Sequence, residues 1–374
     1  MSQDDNPYAN ARIEVLEGAE AVRKWPGMYI GSTGERGVNQ LVFEVAGPAV
    51  EEVLAGRAGR VEITLLPDGG VRVADDGPGA GVEALLTRMH SGERSRGRHD
   101  VACAFLGIGP FVANALSSRM TVEARGGGVR RVQEYARGRA LTPLAEAGPA
   151  AGSGTCVTFR PDPEVFGSTR PAFDALADRF RELALLNRVL DVSLTDERDP
   201  RQVRSLRLRF PGGVRELVGL LDEGDAAPAV TDTVWFEAVD ERMAGTVEVA
   251  LRWRERGGER VRSFANNRPT GRGGSHEEGL REGVAAALGA YARRHPRPGP
   301  AGAERIAGAA CAGLTAVVSV KLDDPRFEGS TLDVLAVPAV RGCVAGAVRE
   351  RLGAWLAGHP EQAAAVLARA AEGG

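Results

Sequence analysis

Two carboxylates close an apolar run in Val71-Arg72-Val73-Ala74-Asp75-Asp76-Gly77. Such a run predicts a strand that delivers Asp75 to a sheet edge. A carboxylate fixed there, beside apolar walls such as Val73 and Val157, suits a planar heterocycle that offers an N–H donor. The competing reading is that Asp75-Asp76-Gly77 only caps a turn, the commoner fate of this tripeptide. A second candidate feature is Leu106-Gly107-Ile108-Gly109 running into Pro110 to Leu116, a glycine turn that opens a helix with proline in its first turn. A helix start of that kind presents backbone N–H groups to an anion.

The elements that must hold these groups can be read from periodicity. Apolar residues recur at helical spacing from Asn39 to Arg57, with Glu44, Glu51 and Glu52 between them. Val61 to Leu66 and Val71 to Ala74 flank Pro67-Asp68-Gly69-Gly70 and predict a hairpin. Met120 to Ala124, Val129 to Tyr135 and Thr155 to Phe159 predict further strands, the first two joined by Gly126-Gly127-Gly128. The expectation is a helix layer over a mostly antiparallel sheet. A break falls near Phe210-Pro211-Gly212-Gly213. Beyond it, strands at Thr246 to Trp253 and Ala316 to Leu322 alternate with helices near Leu280 to Arg294 and Ala339 to Leu356, and the alanine-rich end from Val344 is helical. Arg268 to Ser275 and His295 to Ala303 read as loops. The fold class expected is α+β, with domains at 1–211 and 212–374.

The chain has 374 residues, enough for two packed domains, and a formal net charge of -3, which gives no bulk attraction to nucleic acid. Arginines crowd the stretch from Arg252 to Arg297, including Arg254, Arg256, Arg260, Arg262, Arg268, Arg272, Arg293 and Arg294. Glu255, Glu259, Glu277, Glu278 and Glu282 are interleaved, as on a salt-bridged solvated face. Contact with DNA is therefore left open. Cys103, Cys156, Cys311 and Cys343 lie far apart, without zinc or disulfide spacing, so no metal site is expected from them. No stretch is apolar and long enough for a signal peptide or membrane span, and a reducing cytoplasm is the expected location. Only Lys24 and Lys321 are lysines.

Several segments in this order resemble the DNA gyrase B and topoisomerase IV ATPase-subunit family. They are Ile13 to Gly18, Val22-Arg23-Lys24-Trp25-Pro26-Gly27-Met28-Tyr29-Ile30-Gly31, Val42-Phe43-Glu44-Val45 and Asp75-Asp76-Gly77-Pro78-Gly79, followed by Val112 to Ser117, Gly154-Thr155, Phe264-Ala265-Asn266-Asn267 and Val317 to Lys321. The resemblance runs from about Tyr8 to Leu335. It implies a GHKL (Bergerat) ATP-binding α/β sandwich, then a ribosomal-S5-like transducer domain, without the family's cleavage and DNA-gate domains. It also implies an arm, carrying Tyr8 and Ile13, that reaches across to the second copy in a homodimer. On the same ground Asp75 takes the adenine amino group, Thr155 supports it through water, and Glu44 is the general base. The binding set then comprises Val45, Val73, Asp75, Gly77, Gly79, Ala80, Leu106, Gly107, Gly109, Thr155 and Val157.

Departures from the family's pattern fall on hydrolysis. Where the family carries a magnesium-binding asparagine this chain has Gly47-Pro48, and proline offers no side-chain oxygen to a metal, so Mg2+ is not expected. Pro48 also removes the N–H that would bond the Glu44 carbonyl, which predicts a kink or break on the turn of Glu44 unless packing offsets it. Gln40 replaces a histidine partner of the base, so Glu44 is expected to lack its orienting neighbour. Ser330 and Leu332 replace the glutamine and lysine that meet the terminal phosphate, and leucine cannot stabilise a phosphoryl transition state. Pro78 and Val132 stand where arginines hold coumarin-type inhibitors, which disfavours a coumarin decoy. The lid region Ser91 to Arg98 keeps little of the family's sequence.

Three readings follow. In the first, the chain is a dimerising pseudo-ATPase that binds ATP, ADP or another planar ligand without normal turnover, with a gyrase-type partner conceivable. In the second, an enzyme uses the old pocket for a small aromatic or apolar metabolite, with Glu44 or Asp75 as acid/base. The third is residual ATPase activity.

Overall fold

The computed structural model describes residues 18–79, 86, 109–223, 227–294, 299–329 and 331–372. Three helices come first: α1 (Ala19–Lys24), α2 (Pro26–Ile30) and α3 (Glu35–Leu54). α3 presents Val38, Leu41, Val42, Val45, Ala49, Val50 and Val53 to the interior, all buried. It runs unbroken through Pro48, so the expected break is absent. Tertiary burial along nearly the whole helix offsets the loss of a proline N–H to the ladder.

Beneath α3 lies a sheet built from β1 (Val61–Leu65), β2 (Val71–Asp75), β3 (Ser117–Gly126), β4 (Val129–Ala136), β5 (Arg139–Ala140), β6 (Ala145–Pro149), β7 (Gly154–Pro161), β8 (Val192–Asp196) and β9 (Arg204–Leu208). Its order is β5-β4-β3-β7-β2-β1-β8-β9, with β6 on β4, and among these pairs only β1 and β8 run parallel. The β1–β2 hairpin turns on Gly69 at φ 82, while Asp68 accepts a 2.9 Å bond from the Gly70 N–H. α4 (Pro110–Ala115), α5 (Pro163–Phe166) and α6 (Phe173–Leu186) complete this half. The core lies between α3, α4, α6 and the sheet, around Leu41, Ile63, Val73, Phe159 and Phe180.

After α7 (Val214–Asp222) the chain forms a second sheet from β10 (Val234–Asp240), β11 (Gly245–Trp253), β12 (Arg260–Ala265), β13 (Arg268–Pro269) and β14 (Leu314–Leu322), in the order β10-β11-β14-β12-β13. β12 and β14 are parallel, and the crossover between them carries α8 (Ser275–Arg293) and α9 (Gly299–Gly308). Residues 299–303 are therefore helical and not the loop the sequence suggested. A small hairpin, β15 (Phe327–Glu328) with β16 (Val334–Leu335), precedes α10 (Pro338–Gly358) and α11 (Pro360–Glu372). His359 and Pro360 divide the alanine-rich end into two helices, as proline requires.

α6 and α7 pack on the second sheet across an apolar cluster of Leu185, Leu186, Val214, Val218, Ala250, Phe264 and Val317. Beside it, the β12–β13 turn places Asn266 and Asn267 at φ 48 and 64, left-handed values that asparagine tolerates better than other side chains and that a two-residue hairpin demands. Asn267 Oδ1 accepts from Asn187 Nδ2 at 2.9 Å, and Asn187 Oδ1 accepts from Lys321 Nζ at 2.9 Å. Arg179 adds a 3.0 Å bond to the Asn267 carbonyl. Burial lowers the Lys321 amine from its ordinary value, against the raising influence of Glu248 and Glu237.

Candidate functional site

Asp75 is the last residue of β2 and faces Thr155, the second residue of β7, as its direct antiparallel partner. Asp75 Oδ1 accepts a 2.9 Å bond from the Gly77 N–H, so the carboxylate caps its own turn and still borders open space. Burial lifts its carboxyl above the ordinary aspartate value; the Gly77 and Thr155 backbones pull it back, and the Glu52 and Asp76 charges add to the rise. Asp76 is a structural anchor, accepting from the N–H groups of Gly59 at 2.6 Å and Arg60 at 3.1 Å.

The approach of neighbouring backbones explains the glycines here. Gly79 has φ +69, and a Cβ on it would lie 2.2 Å from the Arg125 carbonyl oxygen. Gly154 has φ +149, and a Cβ there would lie 2.4 Å from the Asp75 carbonyl oxygen. A side chain at Gly79 would displace the end of β3, and one at Gly154 the strand end that carries Asp75.

A cavity of about 80 Å³ opens at this edge, lined by Val45, Pro48, Ala49, Glu52, Val73, Asp75, Pro78, Gly79, Leu86, Pro110, Thr155 and Val157. It brings together Val45, Pro48, Val73, Asp75, Gly79, Thr155 and Val157 of the residues singled out by sequence. Ala49 and Glu52 were missed, although they continue the helical spacing from Val45 and Pro48 and so face the same way. Pro78 and Pro110 were noted for other reasons, and Leu86 carried no signal. A polar recess, between Arg60, Glu62, Asp76, Arg125 and Ser153, adjoins Asp75 and Thr155 from another side.

Glu44 does not line the cavity. It is 2% exposed, and its oxygens accept from Gln40 Nε2 at 3.1 Å and from the Gly109 N–H at 2.7 Å. Two sequence expectations change as a result. Gln40 does orient Glu44, because an amide one helical turn back reaches the carboxylate as a histidine would. The N–H at the start of α4, expected to meet a ligand anion, is held by Glu44 itself.

Leu332 sits at φ 55, on a loop tied to Arg272-Gly273 by the Arg272 N–H donating to the Asp333 carbonyl at 3.1 Å and the Leu335 N–H donating to the Gly273 carbonyl at 3.1 Å. It is not among the residues lining the cavity. Ala80, Leu106, Gly107, Ser330, the Ser91 to Arg98 region and the arm with Tyr8 and Ile13 lie outside the described residues.

Among the described residues no group of three or more His, Cys, Asp or Glu could hold a metal ion, and no helix is long and apolar enough to cross a membrane. Cys156, Cys311 and Cys343 are free thiols. The arginine-rich stretch is largely engaged within the protein: Arg254 is fully buried against Thr315 and the Gly258 carbonyl, Arg262 pairs with Glu182, and Arg281 pairs with Glu259 and Glu277. A larger cleft of about 800 Å³ opens between β10, α8 and α10; it lies apart from the carboxylates considered above.

A family model described as DNA gyrase B matches residues 213–373. The DNA gyrase B protein of Streptomyces coelicolor is 38% identical over 387 residues, covering 96% of this chain and 56% of that protein. The novobiocin-sensitive gyrase B protein of Streptomyces niveus is 38% identical, with 96% and 57% covered. The chain thus spans less than two thirds of the length of these curated relatives. Among solved structures, the 43K ATPase domain of Thermus thermophilus gyrase B in complex with an aminocoumarin superposes with a TM-score of 0.80 at 32% identity, covering 96% of this chain and 94% of that one.

Proposed function

The chain belongs to the DNA gyrase B family, and on that footing we propose that it is a pseudo-ATPase of that family, holding a nucleotide or another planar ligand against Asp75 and Thr155 without the family's hydrolysis. In this reading residues 1–211 form the nucleotide-binding-like domain, with an amino-terminal arm that makes a homodimer, and residues 212–374 form the transducer-like domain. A cytoplasmic location belongs to the same proposal, as does a gyrase-type partner.

The observation that carries it is the composition of the cavity. A donor-seeking carboxylate and its cross-strand threonine sit among Val45, Val73, Val157 and prolines, which favours a planar heterocycle. On the helix that would present a metal ligand there is Pro48, which has no oxygen to offer. Glu44 is buried and committed to Gln40 and Gly109, so as the protein stands it is not poised beside an attacking water. Calorimetry with a non-hydrolysable ATP analogue and with adenosine tests the binding half: both should bind, and Asp75→Asn should weaken both. Absence of binding at millimolar ligand overturns the proposal.

The raised carboxyl of Asp75 favours one further reading, an enzyme that uses it for proton transfer on a small aromatic metabolite. Native mass spectrometry of the purified protein decides between them: a stoichiometric bound metabolite other than a nucleotide supports the enzyme, and its absence counts against it.

A further inference from the structure

The wall of the cavity beside Asp75 is short of hydrogen-bond donors. Pro48, Pro78 and Pro110 line it and bring no N–H. The Gly77 N–H is taken by Asp75 Oδ1 at 2.9 Å. Val73 and Val157 are register partners within the sheet, and Val45 and Ala49 lie inside α3, so their N–H groups are committed to secondary structure. The Glu52 carboxylate is turned to Arg57, at 2.7 and 2.8 Å. That leaves the Asp75 carboxylate and the Thr155 hydroxyl as the recognition groups of the wall, and among the described residues neither arginine nor lysine lines it.

At the Pro110 end an incoming anion meets a carboxylate already in place. Glu44 precedes the wall residue Val45 on α3 and lies one turn before Pro48. Its Oε2 accepts the Gly109 N–H at 2.7 Å, and its Oε1 accepts from Gln40 Nε2 at 3.1 Å. Two accepting oxygens are the pattern of an ionised carboxylate. At 2% exposure that charge is little screened by solvent ions. Burial, with the Glu52 and Asp76 charges behind it, already holds the Asp75 carboxyl above its ordinary value, which reports a negative potential at the other end of the same cavity.

Resting on the reading of this cavity as a planar-ligand site, we propose that its ligand is an uncharged amino-bearing heterocycle, a free base or its nucleoside, and that phosphate groups do not strengthen binding because the Glu44 carboxylate on the Gly109 N–H stands in the place of a ligand anion. An exocyclic amine donates to Asp75, the Thr155 hydroxyl serves a ring nitrogen, and the valine and proline walls meet the faces of the ring. At about 80 Å³, well under the roughly 300 Å³ at which drug-sized sites begin, the space encloses the ring system and leaves a phosphate chain outside. A nucleotide still binds, through its base and sugar, with Glu44 repelling its charged end.

Titration calorimetry on the whole chain with adenosine, AMP and a non-hydrolysable ATP analogue, with and without magnesium, tests this through ratios of affinity. Adenosine should bind at least as tightly as either nucleotide. Raising salt from about 50 to about 500 mM should favour the nucleotides relative to adenosine, because it screens repulsion. Glu44→Gln keeps an acceptor for the Gly109 N–H and removes the charge, so the nucleotides should gain about threefold or more on adenosine; a ratio taken within the variant cancels any general loss of fold. A nucleotide that binds more tightly than adenosine, or that loses ground to it as salt rises, overturns the inference and leaves the proposed function standing. An unchanged ratio in a folded Glu44→Gln variant overturns the part given to Glu44. Failure of adenosine and both nucleotides to bind at millimolar concentration overturns the inference and the proposed function together.

Discussion

Restoring a regular helix at Gly47-Pro48 should stabilise the protein, and the amount can be worked from the structure. α3 continues through Pro48, which has no N–H to give the carbonyl one turn back, and a proline in a helix interior is about 3 kcal/mol worse than alanine. Against this stands the smaller unfolded-state entropy of proline, about 0.7 kcal/mol. The two ring methylenes lost from a half-buried side chain cost about 0.8 kcal/mol, half their worth at full burial. Pro48→Ala should therefore stabilise by about 1.5 kcal/mol. A Cβ on Gly47 would meet nothing within 4 Å, so Gly47→Ala should add about 1 kcal/mol. For a domain of this size the double variant should raise the unfolding midpoint of the first half by about 5 to 10 °C. Circular dichroism on heating, backed by urea titration, reads this directly. An unchanged or lowered midpoint would refute the reasoning, since it would mean that α3 relaxes around Pro48 without strain. Adenosine affinity should fall modestly in the same variant, because Pro48 is part of the cavity wall.

Other outcomes follow from the same geometry. Asp75 has a raised carboxyl value in the folded protein, so between its unfolded and folded values the native state binds more protons and stability falls as pH rises through that window. Asp75→Asn should consequently be more stable than the parent at pH 7, with the difference fading as pH drops through the ordinary aspartate range, while adenosine binding is lost. Gln40→Leu removes a hydrogen bond to the buried Glu44 carboxylate and should cost about 1.5 to 3 kcal/mol, read by urea titration; a neutral result would mean that the Gln40 bond does not support Glu44. Asn187→Ala removes the bridge from Lys321 to Asn267 and should move the unfolding of the two halves further apart in calorimetry, whereas an unchanged profile would count against the seam as the link between the halves.

Much of this architecture is legible in single elements of the sequence. The helical period from Asn39 and the Pro-Asp-Gly-Gly hairpin are local signals, and local signals carry across because no distant contact is needed to form them. The family resemblance linked Asp75 with Thr155, a pairing that residue periodicity alone could not supply. The continuity of α3 was not legible, because propensity argues for a break at Pro48 and only the packing of Val45, Ala49, Val50 and Val53 overrules it. The bond from Gln40 to Glu44 follows from an i, i+4 spacing that was present in the sequence but outweighed by the substitution itself. The commitment of Gly109 to Glu44 joins residues 65 apart in sequence, which no local pattern reveals. The sequence places Glu52 only between the apolar positions of the helix, and its place in the cavity depends on the rotation of α3 over the sheet.

The most direct measurement is steady-state phosphate release from ATP by the purified chain with magnesium present, run beside Glu44→Ala. The account predicts no release above the buffer rate in either sample, with adenosine still binding through Asp75. Turnover in the parent that disappears on replacing Glu44 would contradict it.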